Sequence, residues 1–188
     1  MASDTRGRMI EATVAALQRH GVAGMSFTEI LTNSGAARGA IYHHFPGGKA
    51  QIVAEAAARN GHDVQAHLAQ LPVDSPRAVV EAFLEIVRPV MRRSAEGGGC
   101  AVAAVTVADA DDLRQVAAAA FTSWITTLTD RLASAGLARD RAVDLATTLI
   151  ILLEGAHVLC RAAGSLDPFE QAARTAHALL GGVGEDTV

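Results

Sequence analysis

The sequence predicts an all-α fold from three features of its composition and patterning. Alanine, the residue with the lowest cost in a helix, is abundant, whereas aromatic residues make up 4% of the chain and prolines number five. Apolar residues recur every three to four positions, and the alternation typical of strands is missing. Because half of the 188 residues are apolar, the chain can bury a core without disulfides or metals.

Three short helices are expected at the N-terminus. The first has an apolar face, Asp4 or Thr5 as its cap and an end near Gly21, and that face consists of Ile10, Val14 and Leu17. The second helix, "FTEILTNS", follows Ser26 and Glu29, whose spacing is that of a capping box.

Gly35 ends the second helix, and a third is expected over Ala37–His44, stopped by the "FPGG" that follows. Two short helices joined by a tight glycine turn form a helix-turn-helix, whose second helix enters the major groove of DNA. The turn favours glycine because a residue there often needs a positive φ.

Helices are also expected beyond this motif, with "LPVDSP" (Leu71–Pro76) as the clearest linker. They are placed at Lys49–Gln70, Arg77–Ser94, Ala101–Ala108, Leu113–Ala135, Arg141–Ala163 and Pro168–Leu180. We therefore predict a helix-turn-helix DNA-binding domain at residues 1–50 and a second helical domain at residues 51–188.

Charge is distributed unevenly between these two parts. Residues 1–50 carry five basic and three acidic side chains, a net +2, while the remainder carries eleven basic and seventeen acidic ones, a net −6. The whole chain has a net charge of −4, which argues against a wholly basic nucleic-acid binder. A positive end on an acidic body suits a protein that contacts phosphates with one end only.

The segment "TEILTNSGAARGAIYHHFPGGK" resembles the signature of the tetracycline-repressor (TetR) family, and the match covers about residues 8–55. The ordered residues that carry it are Thr28, Gly35, Gly39, Tyr42, His43, Phe45 and Lys49. The stretches "GGGCAVAAV" and "HHFPGGK" are similar to the LmrA/YxaF-like subgroup. The resemblance implies a cytoplasmic homodimer, most often a repressor, that leaves a palindromic operator when it binds a small apolar or aromatic effector.

Candidate DNA contacts follow from the chemistry of the motif. Arg38 suits a guanine edge, with a phosphate contact as the alternative, and Gly39 and Ala40 allow close approach of the helix. An apolar cluster is expected to hold the two helices of the motif against the first helix, and its members are Ile10, Val14, Leu17, Ile30, Leu31, Ile41 and Phe45. Tyr42 can bind a phosphate, or it can be a surface aromatic that closes this cluster. The remaining phosphate candidates are Thr28, His43 and Lys49.

The lysine departs from the family pattern. Many members place it three residues after the phenylalanine, whereas here Lys49 lies four residues after Phe45. The phosphate contact that the resemblance implies for Lys49 is therefore expected to be displaced.

The helix at Arg141–Ala163 is apolar on two sides, so both sides must be buried. One stripe holds Leu145, Leu149, Leu152, Ala156 and Leu159, and the other holds Ala146, Ile150, Leu153, His157 and Cys160. In a chain of this size a second subunit is the simplest cover, and the resemblance implies the same homodimer. Two helix-turn-helix units related by a two-fold axis then predict a near-palindromic operator.

An effector cavity needs apolar walls with a few polar anchors. The candidates for its lining are Phe83, Val87, Met91, Phe121, Trp124, Leu128, Leu153 and His157, with plain core packing as the alternative for each. Glu154 and His157 form either a polar anchor in this cavity or a hydrogen-bonded pair at the dimer interface.

No catalytic site, metal or cofactor is expected. The two cysteines, Cys100 and Cys160, have no ligand spacing, and the adjacent His43 and His44 point about 100° apart on a helix. An enzyme would need a nucleophile elbow, phosphate loop or metal motif that the chain lacks. A helical carrier or scaffold that does not bind DNA is a further alternative, but it leaves the Thr28–Lys49 pattern unused. We find no signal peptide or membrane span, so a cytoplasmic location is expected.

Overall fold

The computed structural model describes residues 5–108 and 110–181, with side chains through Ala176, and every regular element in these ranges is a helix. The helices are α1 (Thr5–Gly24), α2 (Phe27–Ser34), α3 (Ala40–His44), α4 (Gly48–Leu68), α5 (Pro76–Ala95), α6 (Ala101–Ala104), α7 (Asp111–Ser134), α8 (Arg139–Ala163) and α9 (Asp167–Gly181). The predicted all-α fold is confirmed. Asp4, expected as a possible cap of the first helix, lies outside the described residues.

Two predicted helices extend by three or more residues beyond the observed ones. The third helix begins at Ala40 instead of Ala37, because the amide of Ala40 donates to the carbonyl of Ala37 (2.9 Å) and closes a turn there. The helix expected over Ala101–Ala108 ends at Ala104, where the hydroxyl of Thr106 donates to the carbonyl of Ala103 (2.7 Å). A threonine side chain that occupies a backbone carbonyl in this way competes with the helix ladder.

The chain forms two compact units. The first takes the residues up to Asp63 together with Gly99–Ala120, and the second takes Val64–Gly98 and the residues from Phe121 onward. In the first unit α1 packs against α2 and α6. Its buried apolar side chains include Met9, Leu17, Ile30, Ile41, Phe45 and Ile52.

In the second unit α5, α8 and α9 pack against one another. Ser75 begins α5 by accepting a hydrogen bond from the amide of Ala78 (3.1 Å). Arg88 of α5 joins α9, because its guanidinium pairs with Glu170 and lies over the ring of Phe169, 5.5 Å from the centroid. These contacts tie the last described helix to the core of the unit.

Among the described residues, α8 is the one helix long and apolar enough to cross a membrane by length and composition. It packs against α5 and α9, and eight of its residues are buried in the second unit. One face of α8 therefore belongs to the core of the second unit.

Candidate nucleic-acid interface and helical body

A glycine turn sets the path between α2 and α3. Ser26 begins α2 by accepting a hydrogen bond from the amide of Glu29 (3.2 Å), as the capping spacing predicts. The carboxylate of Glu29 lies 3.2 Å from Nε2 of His20, so it ties α2 to α1. Gly35 then adopts φ 64° and ψ 23°, and its amide donates to the end of α2. An L-residue in this left-handed conformation costs roughly 1–2 kcal/mol.

Buried apolar side chains hold α3 against α1 and α2. Ile30, Ile41 and Phe45 are buried, as the sequence predicts, and so are Ile10 and Leu17 of α1. Val14 and Leu31, expected in the same cluster, are half-buried. With only five residues, α3 is too short to be stable alone, so this packing holds it in place.

The predicted DNA contacts lie on the opposite side of these elements, where they meet solvent. Ala40 is half-buried, and the others are exposed, namely Thr28, Arg38, Gly39, Tyr42, His43 and Lys49. Tyr42 is 67% exposed, and its ring meets that of Phe27 edge to face with centroids 6.5 Å apart. Arg38 and Gly39 occupy the turn before α3 and not the helix itself.

Gly39 leaves open space in front of the motif. A Cβ atom built on it would meet no other atom within 4 Å, and its φ of −74° is one that any residue adopts. Neither packing nor backbone geometry therefore demands glycine there. The reason for glycine that is left is the close approach of another molecule to the backbone at this position.

Lys49 is held by the fold as well as exposed. Gly48, at φ 63°, begins α4 and accommodates the additional residue of "FPGGK". The ammonium of Lys49 donates to the carbonyl of Met25 (3.3 Å), in the segment between α1 and α2. An ammonium has three donors, so two remain for a phosphate.

Three polar residues near this motif have no part in the sequence-based prediction. Arg6 pairs with Glu55, and Gln51 bridges Glu55 to the amide of Gly47. The i, i+4 spacing of Gln51 and Glu55 on α4 is a signal that sequence reading can find. The contact between Arg6 and Glu55 spans 49 positions, and no local pattern reports it.

Most of the predicted effector-cavity residues lie in the core of the second unit. Phe121 is half-buried, with its ring edge to face with Trp124 (centroids 5.1 Å apart), and the other seven candidates are buried. A void of about 10 Å³, roughly the room one water needs, lies between α5, α8 and α9. Phe83, Val87 and Leu153 line it, and the rest of its lining is Leu84, Leu149, Leu152, Phe169, Ala172 and Ala173.

His157 belongs to a hydrogen bond between α5 and α8. Its Nδ1 lies 2.7 Å from the hydroxyl of Ser94, which also contacts the carbonyl of Val90 (3.1 Å). Burial, assisted by the positive charge of Arg93, lowers the pKa of His157 to about 4. The imidazole is therefore neutral at pH 7. Its hydrogen-bond partner is Ser94, and a carboxylate oxygen of Glu154, the residue that the sequence paired with it, lies within 4.8 Å of a ring nitrogen.

A helix-turn-helix whose second helix exposes a polar face is typical of DNA-binding transcriptional regulators. Two family profiles match the chain: "Bacterial regulatory proteins, tetR family" at residues 9–56, and "Transcriptional regulator LmrA/YxaF-like, C-terminal domain" at residues 76–175. The chain belongs to the TetR family of transcriptional regulators, in its LmrA/YxaF-like group. The resemblance seen in the sequence is thereby confirmed.

Relatives along nearly the whole chain are regulators of the same kind. An uncharacterised HTH-type transcriptional regulator of Mycobacterium tuberculosis is 30% identical over 183 residues, which is 93% of each chain. The HTH-type transcriptional regulator LmrA of Bacillus subtilis is 26% identical and covers 88% of this chain and 90% of its own. Both relatives are thus HTH-type transcriptional regulators.

Solved structures share the fold. A TetR regulatory protein from Rhodobacter sphaeroides has a TM-score of 0.83 at 23% identity, covering 94% of this chain and 99% of its own. A TetR regulator from Legionella pneumophila has a TM-score of 0.82 at 22% identity, covering 94% and 97%. A variant of the regulator CifR, crystallised with 26-bp operator DNA, has a TM-score of 0.71 at 21% identity, covering 95% and 97%.

The depressed pKa of His157 makes stability depend on pH. Between pH 6.5 and about 4 the unfolded chain binds a proton at this residue and the folded chain does not, so the free energy of unfolding falls as the pH falls. From pH 7 to pH 5 the loss from His157 is about 2 kcal/mol. Urea unfolding at the two pH values measures it.

His157→Asn is the matched control, because the amide keeps a hydrogen-bonding group near Ser94 and does not titrate. All other histidines and carboxylates are shared, so the difference between the two proteins isolates His157. An equal loss in wild type and variant would show that His157 is not the source of the pH dependence.

Proposed function

We propose that this chain is a cytoplasmic, ligand-responsive repressor that binds a near-palindromic operator as a homodimer and is released by a small apolar or aromatic effector. The observation that carries the proposal is the outer face of the helix-turn-helix. Ile41 of α3 and Phe45, which ends this helix, are buried, while the polar residues around them face solvent. CifR, which has the same fold, forms a complex with operator DNA, and this supports operator binding by a chain of this fold.

Each exposed side chain of this face has a proposed role on DNA. Arg38 carries a planar fork that suits the O6 and N7 atoms of guanine. Tyr42 and His43 offer hydrogen bonds to phosphate oxygens, and Thr28 does so from the first turn of α2. Lys49 adds its remaining donors at the start of α4, while Gly39 and Ala40 let the backbone come close.

Arg38→Ala tests base reading. If Arg38 contacts a guanine, the variant loses about 1–3 kcal/mol of binding to an operator selected from random duplexes and keeps its affinity for a random duplex. Fluorescence anisotropy on both duplexes over a range of salt concentrations measures this.

Lys49→Ala serves as the comparison, since loss of a phosphate contact should weaken both duplexes alike and reduce the salt dependence by about one unit of slope. Equal weakening of both duplexes by Arg38→Ala would reassign Arg38 to a phosphate.

The homodimer is proposed from one face of α8. Val143, Ile151 and Val158 follow one stripe of the helix and are 42%, 65% and 67% exposed, and the adjacent Leu159 is 57% exposed. The sequence left open which of its two stripes meets a second subunit. In the first stripe Leu149 and Ala156 are buried within the monomer, and the second is buried throughout, at Ala146, Ile150, Leu153, His157 and Cys160. A row of exposed β-branched residues on the helix next to α9 fits cover by a second copy.

Ile151→Glu should separate the subunits without unfolding them. The side chain is mostly exposed in the monomer, but a second copy would bury its charge unpaired. Sedimentation equilibrium at micromolar concentration should show a wild-type dimer and a monomeric variant with the same helix content.

Val107→Glu is the control, because Val107 is 87% exposed in the first unit and lies outside the proposed interface. A dimer that survives Ile151→Glu would contradict the interface, and a monomeric wild type that still binds operator would contradict the dimer.

The effector is proposed to bind in the core of the second unit. The residues that line the void are apolar, and the Ser94–His157 pair is a polar group elsewhere in the same unit. The void holds about one water. A planar effector must therefore widen this core, and it acts through its preference for the widened state. A coupling of about 1–3 kcal/mol would weaken operator binding roughly 5- to 150-fold.

Trp124 reports on this core because it is the only tryptophan and is 1% exposed. A panel of planar aromatic compounds is screened for release of a fluorescent operator. For compounds that release it, tryptophan quenching should saturate over the same concentration range.

Trp124→Phe provides the blank for fluorescence and should bind operator as the wild type does. Release of operator by compounds that leave Trp124 fluorescence unchanged would place the effector elsewhere. If no compound of this class releases operator, the proposed effector class is wrong.

A further inference from the structure

We propose that Arg6 is a positioning residue for operator binding: it holds the end of α3 and, through Glu55 and Gln51, the turn that follows α3. The proposal rests on the operator binding proposed above. It concerns a side chain on α1, outside the predicted DNA contacts.

A chain of polar contacts leads from Arg6 to the turn after α3. Nη2 of Arg6 pairs with Oε2 of Glu55. The other carboxylate oxygen, Oε1, accepts a hydrogen bond from Nε2 of Gln51 (3.0 Å). Oε1 of Gln51 in turn accepts from the backbone amide of Gly47 (2.8 Å). The four residues thus join α1, α4 and the segment between α3 and α4.

Arg6 also contacts the end of α3 directly. Its guanidinium carbon lies 5.0 Å from the centroid of the Phe45 ring, a cation–π distance. Phe45 is fully buried and ends α3, where its amide donates to the carbonyl of Ile41 (2.6 Å). Its own carbonyl accepts from the amide of Gly48 (2.9 Å). Arg6 therefore contacts the start of the segment at Phe45 directly, and it is linked to the Gly47 amide through Glu55 and Gln51.

The carboxylate of Glu55 determines how the amide group of Gln51 is oriented. An ionised carboxylate only accepts hydrogen bonds, so it must face the amide nitrogen of Gln51, and this leaves the amide oxygen for Gly47. Arg6 holds the carboxylate of Glu55 in place by pairing with it. Replacing either charge leaves Gln51 free to turn, and the Gly47 amide loses a fixed partner.

The Arg6–Glu55 pair is expected to affect the position of α3 more than the free energy of unfolding. Arg6 and Glu55 are 45% and 29% exposed, and ion pairs with such exposure contribute little to the free energy of unfolding. The five residues of α3, however, depend on contacts made by neighbouring segments. A small rotation of α3 would misplace Tyr42 and His43 while the apolar core stayed intact.

The experiment compares Arg6→Gln, Glu55→Gln and the double variant in the full-length protein. Affinities for a selected operator and for a random duplex are measured over a range of salt concentrations. Each single variant should lose roughly fivefold or more in operator affinity, and the double variant should be no weaker than Arg6→Gln, because both changes break the contact between Arg6 and Glu55. Affinity for the random duplex and the salt slope should be unchanged, which also shows that the variants are folded.

Arg59→Gln is the control, since it removes an exposed arginine–aspartate pair (with Asp63) from the same unit. It should leave both affinities unchanged. A fall in salt slope of about 0.9 with equal weakening on both duplexes would make Arg6 a phosphate contact and overturn the proposal. Unchanged operator affinity, or losses that multiply in the double variant, would overturn it as well. A wild-type chain that prefers no duplex sequence would instead overturn the proposed function.

Discussion

The backbone conformation at Gly35 is the constraint on which the rest of the DNA-facing structure depends. At φ 64° the chain turns back directly after α2, and Ile41 and Phe45 of α3 then reach the core that holds Ile30. Only one side of a helix as short as α3 can be buried, so the polar side is left in solvent. The same turn thus determines both what the motif buries and what it offers to DNA.

Polar contacts add directional restraints to the apolar packing of the motif. The apolar core holds α3 against the rest of the motif. Apolar packing is not directional, however, so it tolerates rotation of a short helix more readily than hydrogen bonds do. His20 with Glu29, Lys49 with Met25, and the chain from Arg6 to Gly47 each join a different neighbour to the motif. In the second unit, α8 combines a buried face with an exposed apolar one, which suits a helix shared between core and interface.

Local signals in the sequence predict much of the motif, and contacts between distant residues are what they miss. The cap at Ser26, the turn at Gly35 and the burial of Phe45 follow from neighbouring residue types, and all three are observed. The start of α3 was misplaced because Ala37–Gly39 has helical composition but forms a turn. Arg6 and Glu55, or Ser94 and His157, lie 49 and 63 positions apart, and only the folded chain brings them together.

Two glycines allow the central claim to be measured directly, because a Cβ atom at either Gly35 or Gly39 would meet nothing within 4 Å. They differ in φ, which is 64° at Gly35 and −74° at Gly39. Gly35→Ala should lower the free energy of unfolding by about 1–2 kcal/mol through backbone strain alone. Gly39→Ala should leave stability unchanged or slightly raised and still weaken operator binding, because its methyl group blocks the approach of DNA. Full stability in Gly35→Ala, or wild-type operator affinity in Gly39→Ala, would contradict the account.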